Sequence, residues 1–192
     1  MRLIRISFIL LAVCGLNLLH AAGPEKSVGH NSKLVSDKAR ANSFSSLEKI
    51  LQQITDEASL AIFEGLPHQD SQSKLYKREL KSKPAVTRYG YSFYEPSVAV
   101  SGKEKDQLLK LLKKPGAFRK YGGRKFCGGF HPDYSLHWKT ASGEVEMHLC
   151  FGCHEMRVYS GDLEVHADMG ESTPEALKKL LNPFQNNRPI AE

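Results

Sequence analysis

From residue 131 to residue 168 the chain alternates. Apolar residues take every second position in YSLHW, EVEMHL, EMRVYS and LEVHAD, and short turn-forming stretches separate these runs. A period of two puts successive side chains on opposite faces of a strand. Gly152-Cys153 and Gly161-Asp162 fit two-residue Gly-X turns, and residues 140–143 fit a four-residue loop. These turns set a register. Leu149 then faces Met156, Met147 faces Val158, Trp138 faces Val145, Leu136 faces Met147, Tyr134 faces Leu149, Val158 faces Val165 and Met156 faces Ala167. All of these pairs are apolar, and Phe151 opposite His154 is the one mixed pair. A turn displaced by one residue would scramble the agreement. The predicted unit is an antiparallel meander of four or more strands with helices packed on one face, an α+β fold.

The flanking sequence supplies the helices. SSLEKILQQITDEA carries Ser45 and Glu48 at capping-box spacing, with Leu47, Ile50, Leu51, Ile54 and Ala58 on one face. LAIFEG continues that helix or switches to a strand. SQSKLYKRELKSKP reads as a short basic helix stopped at Pro84. AVTRYGYSFYEPSVAV is rich in β-branched and aromatic residues and reads as one or two strands. EKDQLLKLLKKPG forms a helix closed by Pro115-Gly116. Ser172 and Glu175 are placed to cap a last helix, with Pro174 in its first turn and Leu177, Leu180 and Leu181 facing inward.

The chain opens on a basic n-region (Arg2, Arg5), an apolar run from Ile6 to Leu19 and the small residues Ala21, Ala22 and Gly23. This is the pattern of a signal peptide over residues 1–23, which predicts an exported, periplasmic or extracellular protein. LAVC, ending at Cys14, touches a lipoprotein site. Val13 suits that site poorly and the apolar run continues past the cysteine, so lipid anchoring is the lesser reading. Residues 24–44 are polar and aperiodic and read as a tether, which leaves residues 45–190 as a single domain. About 170 residues after cleavage are enough for a proper core. Removing Arg2 and Arg5 lowers the net charge from +6 to +4, and removing Cys14 leaves Cys127, Cys150 and Cys153.

An odd number of cysteines in an oxidising compartment asks for an explanation. In the register above, Cys150 points away from the core, opposite Asp133 and Glu155, and Cys153 sits on the turn. Cys127 and His131, joined across Gly128-Gly129, emerge at the same corner. Three thiolates and an imidazole from Cys127, His131, Cys150 and Cys153 would complete a tetrahedral zinc site. CFGCH at Cys150–His154 also matches the C-x-x-C-H attachment pattern of c-type haem, with Cys150 and Cys153 as thioethers and His154 as axial ligand. Its flanks alternate as strands, and the register turns His154 away from Cys150. A third reading is a structural disulfide, with no cofactor, or a thiol-redox pair, which would lack the help of a helix N-terminus. His68 in GLPHQD either caps a loop or joins this corner as a further neighbour. The expected role is structural or metal-binding. No complete catalytic constellation is present, and a hydrolytic or thiol-redox enzyme ranks behind haem-based electron transfer.

FEGLPH (Phe63 to His68), KFCGGFHPDYSLHW (Lys125 to Trp138) and HLCFGCHEMRVYSG (His148 to Gly161) resemble blocks of uncharacterised exported or membrane-associated bacterial proteins with no assigned activity. The resemblance covers roughly residues 58–188. It implies that the three motifs belong to one domain and carries no activity with it. Looser relatives lack the histidine after the CF-x-C block, which implies a role for the cysteines themselves over haem.

His137, His148 and His166, with Arg157 between the last two, fall on the outward face of the proposed sheet. They could form a second metal or acid–base site, but a solvated face is the expected state. Asp133, Glu155 and Asp168 are likewise expected as solvated charges. Two basic clusters, Lys74 to Lys83 and Lys110 to Lys125, could make weak contact with an anionic envelope surface. No nucleic-acid motif accompanies them, and the sequence names no specific partner.

Overall fold

The computed structural model describes residues 44–189. The predicted signal peptide, the lipoprotein-like Cys14 and the tether up to residue 43 lie outside the described residues. The meander is present with the predicted register. It comprises β6 (Tyr134–Thr140), β7 (Gly143–Cys150), β8 (Glu155–Ser160) and β9 (Leu163–Met169). Trp138 faces Val145, Leu136 faces Met147, Tyr134 faces Leu149, Leu149 faces Met156, Met147 faces Val158, Val158 faces Val165 and Met156 faces Ala167. The alternation that set the register is also the reason for it, since a slip by one residue would turn every apolar side chain out of the core.

The sheet is larger than four strands. β1 (Ser59–Glu64) pairs with β6, β4 (Val98–Val100) pairs with β1, and β5 (Phe118–Lys120) pairs with β9. The order β4-β1-β6-β7-β8-β9-β5 is antiparallel throughout, with β4 and β5 at the edges. LAIFEG is therefore strand, and AVTRYGYSFYEPSVAV yields three strands. Two of these, β2 (Ala85–Arg88) and β3 (Tyr91–Tyr94), form a separate hairpin.

Three helices cover the apolar face: α1 (Leu47–Gln53), α3 (Gly102–Leu112) and α4 (Thr173–Leu181). Leu47, Ile50, Leu108, Leu112, Leu177 and Leu181 join Trp138, Met147, Met156 and Val165 in one core. Helix α1 is shorter than its periodicity suggested. A 3-10 turn at Phe44–Ser46 precedes it, its cap residue is Ser46, and the Ser46 side chain makes no capping bond. Ile54 and Ala58 still fill the core beyond its end. Ser172 caps α4 by position, again without a side-chain bond. The fourth helix, α2 (Ser73–Ser82), packs beside the β2–β3 hairpin. There Tyr76 Oη and Ser92 Oγ lie 2.9 Å apart, and Tyr94 Oη donates to buried Glu79 at 3.1 Å.

Two turns differ in detail from the sequence reading. Ladder pairing continues to Thr140 opposite Gly143, so the β6–β7 turn holds only Ala141 and Ser142. In β7–β8 the last pair is Cys150 with Glu155, which leaves a four-residue turn, Phe151–His154. The left-handed residue in that turn is His154 (φ +53°), and Gly152 has an ordinary backbone. At Gly161-Asp162 the glycine takes φ +54°, as a Gly-X turn requires.

Candidate functional site

The second face of the sheet is not solvated. His148 is fully buried, and Glu146, Glu155, His166, Ser135 and His137 are buried with it. Two elements cover them. The β2–β3 hairpin lays Tyr89, Tyr91 and Phe93 around the His148 ring at centroid distances of 4.9–5.9 Å, and Tyr89 stacks on Tyr159 at 3.9 Å. The segment 121–130 lays Tyr121 flat on His166 at 3.9 Å and Phe130 over the Arg157 guanidinium at 4.7 Å. Strand alternation alone reads such a row as solvent-facing. The signal that could have corrected it is the complementary alternation of aromatics in RYGYSFY, which gives the hairpin an apolar face of its own.

A buried charge must be paired. Arg88, at the end of β2, grips Glu146 with both Nε and Nη2 at 2.7–2.9 Å. Ser135 Oγ donates to the same carboxylate at 2.8 Å, and His148 Nε2 lies 2.7 Å from it. Burial alone would raise the Glu146 pKa. The bonds from His148 and Arg88 outweigh it and hold the carboxyl down at about 2. For His148 burial prevails and pushes the imidazole pKa down, against the pull of Glu146. A second carboxylate–imidazole pair lies further along the face, with His166 Nε2 2.8 Å from Glu155 Oε2. A carboxylate only accepts, so each Nε2 carries the proton. Nδ1 of both histidines is then buried without a hydrogen-bond partner.

The cysteine corner assembles, but as a disulfide. Cys127 and Cys153 are bonded, with S–S 2.13 Å and Cα–Cα 5.6 Å, and Cys150 is a free, buried thiol. The expected zinc set of Cys127, His131, Cys150 and Cys153 is corrected accordingly. Two of its sulfurs are shared in one covalent bond, which leaves a single thiol and an imidazole. Among the described residues no group of three or more His, Cys, Asp and Glu is placed to hold a metal ion. The haem reading is corrected on the same ground, because the Cys153 sulfur is already bonded. His154 is exposed at the turn, while Cys150 points onto the buried second face. Burial pushes the Cys150 thiol pKa up to about 11, only partly offset by backbone bonds involving His131 and Cys153. That is the opposite of an activated redox thiol.

The neighbours have structural tasks. Asp133 accepts from the Phe151 N–H at 2.7 Å and from Arg188 at 2.7 Å. Arg188 also donates to the Gly65 carbonyl, while Glu64 accepts the backbone N–H groups of Asn186, Asn187 and Arg188 at 2.7–3.0 Å. His68 stacks on His131 at 4.8 Å, and its Nδ1 accepts from the backbone N–H groups of Asp70 and Ser71. Burial lowers the His131 pKa to about 4, against the pull of Asp133. The basic clusters are partly committed as well. Lys125 Nζ reaches Asp168 at 2.7 Å and the Cys153 carbonyl at 3.1 Å, and Lys113 Nζ reaches the Ile54 carbonyl at 2.7 Å.

Where segment 121–130 crosses the second face, a cleft of about 710 Å³ remains open. Tyr121, Arg124, Lys125, Phe130, Arg157 and His166 are among the residues lining it. The disulfide, the Lys125–Asp168 pair and the Gly122 N–H on Asp168 (3.1 Å) fasten its outer wall.

No family model and no curated protein sequence matches this chain. Among solved structures the chain is similar to a "Putative Lipoprotein from Clostridium perfringens", with a TM-score of 0.38 and 12% identity over 77% of this chain and 97% of that one. Nothing about activity follows from a likeness of that degree. Among the described residues no helix is long and apolar enough to cross a membrane.

Proposed function

We propose that this is an exported binding module, not an enzyme. In this reading residues 1–23 are a signal peptide, 24–44 a tether and 45–190 one domain. The Cys/His corner is structural. Its disulfide pins segment 121–130 across the second sheet face and so forms the outer wall of the cleft. The carrying observation is the Cys127–Cys153 bond, which joins that wall to the β7–β8 turn. A disulfide also fits an oxidising compartment, as does the signal-like N-terminus. No cofactor is needed in this reading, because the two bonded sulfurs take neither zinc nor haem.

The intact mass of the exported protein tests it. The expected mass is two hydrogens below that of the thiol form, with one thiol that alkylates only after unfolding. Three free thiols, or a mass raised by one haem, would overturn the reading.

A weak contact with an anionic envelope surface is a second reading. The fully exposed Phe126 beside the exposed Arg124 favours it. Sedimentation with anionic vesicles that persists unchanged in Phe126→Ser would refute it.

A further inference from the structure

We infer that the cleft between segment 121–130 and strands β8–β9 binds a small anion carried on a planar or aromatic body. The inference rests on the binding-module reading and names its ligand class. Three cations line the cleft, Arg124, Lys125 and Arg157, against one carboxylate, Glu155. Glu155 is already engaged by His166, at 2.8 Å. Lys125 is shared with Asp168, so the cationic surplus rests on Arg124, which is exposed, and on Arg157. The Arg157 side chain is one-fifth exposed and its guanidinium meets Glu164 only at 3.4 Å, while its buried Nε has no hydrogen-bond partner.

The second observation is His166. It is 3% exposed, lines the same cleft, and its Nδ1 is buried without a partner. Buried polar atoms are nearly always satisfied. Two orphaned nitrogens therefore share one wall: Arg157 Nε is a donor awaiting an acceptor, and His166 Nδ1, with the ring proton on Nε2, is an acceptor awaiting a donor. A carboxylate or phosphate oxygen satisfies the arginine, since guanidinium presents a planar fork to such groups, and an O–H or N–H elsewhere on the same ligand would satisfy the imidazole.

The rest of the ligand follows from the walls. Tyr121 and Phe130 already stack on the two nitrogen-bearing side chains, so an anion reaching Arg157 and His166 passes between aromatic faces. Such faces favour a flat, π-bearing body over an alkyl chain. The shared ligand chemistry is an aryl or heteroaryl carboxylate or phosphate.

Titration of the exported, disulfide-intact protein with phenyl phosphate, benzoate, benzyl alcohol and benzylamine tests this, read by calorimetry and by the His166 ring resonances. Saturable binding of either anion is expected, at least tenfold tighter than that of the alcohol or amine. The tighter anion identifies the head group. Arg157→Gln is expected to weaken anion binding at least tenfold. Arg124→Gln, at an exposed rim position, provides a variant that leaves the sheet intact and should weaken it two- to fivefold. Alcohol or amine binding as well as the anions would overturn the anion class and leave a binding module standing. No saturable shift from any of the four probes would overturn both. Unchanged anion affinity in Arg124→Gln and in folded Arg157→Gln would place binding elsewhere and overturn the site.

Discussion

Glu146 and His148, two residues apart on β7, share a 2.7 Å contact beneath the β2–β3 hairpin, in a place that strand alternation reserves for solvent. The hairpin supplies Arg88 to the same carboxylate, so the cover and the buried charge require each other. Arg88→Met is expected to lower stability in urea by about 3 kcal/mol, since it strands a buried carboxylate. Glu146→Gln should then cost less in the Arg88→Met background than alone. Equal costs in a double-mutant cycle would mean that the two residues are not coupled.

Acid should destabilise the fold in two separable steps. The folded-state pKa of His131 is held at about 4, below its ordinary 6.5. The unfolded chain therefore binds its proton first as pH falls. Stability attached to this group is complete above pH 6.5 and is lost between 6.5 and about 4, on the order of 3 kcal/mol in all. Glu146, held at about 2 against an ordinary 4.5, adds its loss only below pH 4.5. Denaturation midpoints measured between pH 7 and pH 4 should be flatter in His131→Asn, with the limb below pH 4.5 retained.

Reducing the disulfide should free a long loop. Cys127 and Cys153 are 26 residues apart, and closing a loop of that length restricts the unfolded chain by about 3.5 kcal/mol in the entropic model. Cys127→Ser/Cys153→Ser is expected to melt well below the oxidised protein. Phe130 and Tyr121 should become more accessible to quenching while the sheet core around Trp138 keeps its fluorescence.

The β7–β8 turn offers a test by glycine exchange. Gly152 has an ordinary backbone and open space where a side chain would go, whereas His154 carries the positive φ. Gly152→Ala should be neutral or stabilising by up to about 1 kcal/mol. His154→Gly should likewise be neutral or mildly stabilising, by relief of the left-handed conformation. Gly65→Ala should be severe, because its new methyl would lie 2.1 Å from the Pro132 carbonyl oxygen. A destabilised Gly152→Ala with a tolerated Gly65→Ala would contradict these geometries.

The meander was legible because its evidence is local. Apolar alternation and three tight turns fix seven cross-strand pairs with no long-range information. The outer strands β1, β4 and β5 were harder. Each is held by pairing with residues far along the chain, and β4 and β5 are too short to show a period. The site was half legible. The spacing and turns placed Cys127 near the Cys150–Cys153 segment, and the structure joins Cys127 to Cys153. Which sulfurs bond depends on a bend through Gly128 and Gly129, where both residues adopt positive φ, and no periodic pattern reports such a bend. His148 and His166 read as solvated because a strand specifies which face a side chain takes, not what lies over that face. The covering aromatics come from two other segments.

The sheet ends on both sides in a three-residue strand, β4 or β5. An incoming extended segment, from a second copy or a foreign chain, finds little backbone template at either margin, and at β5 it meets Arg119 and Lys120. Seven strands of antiparallel ladder could otherwise be lengthened indefinitely by one chain after another. Here the two margins close off that route, so crowding does not drive fibrillar growth through the sheet.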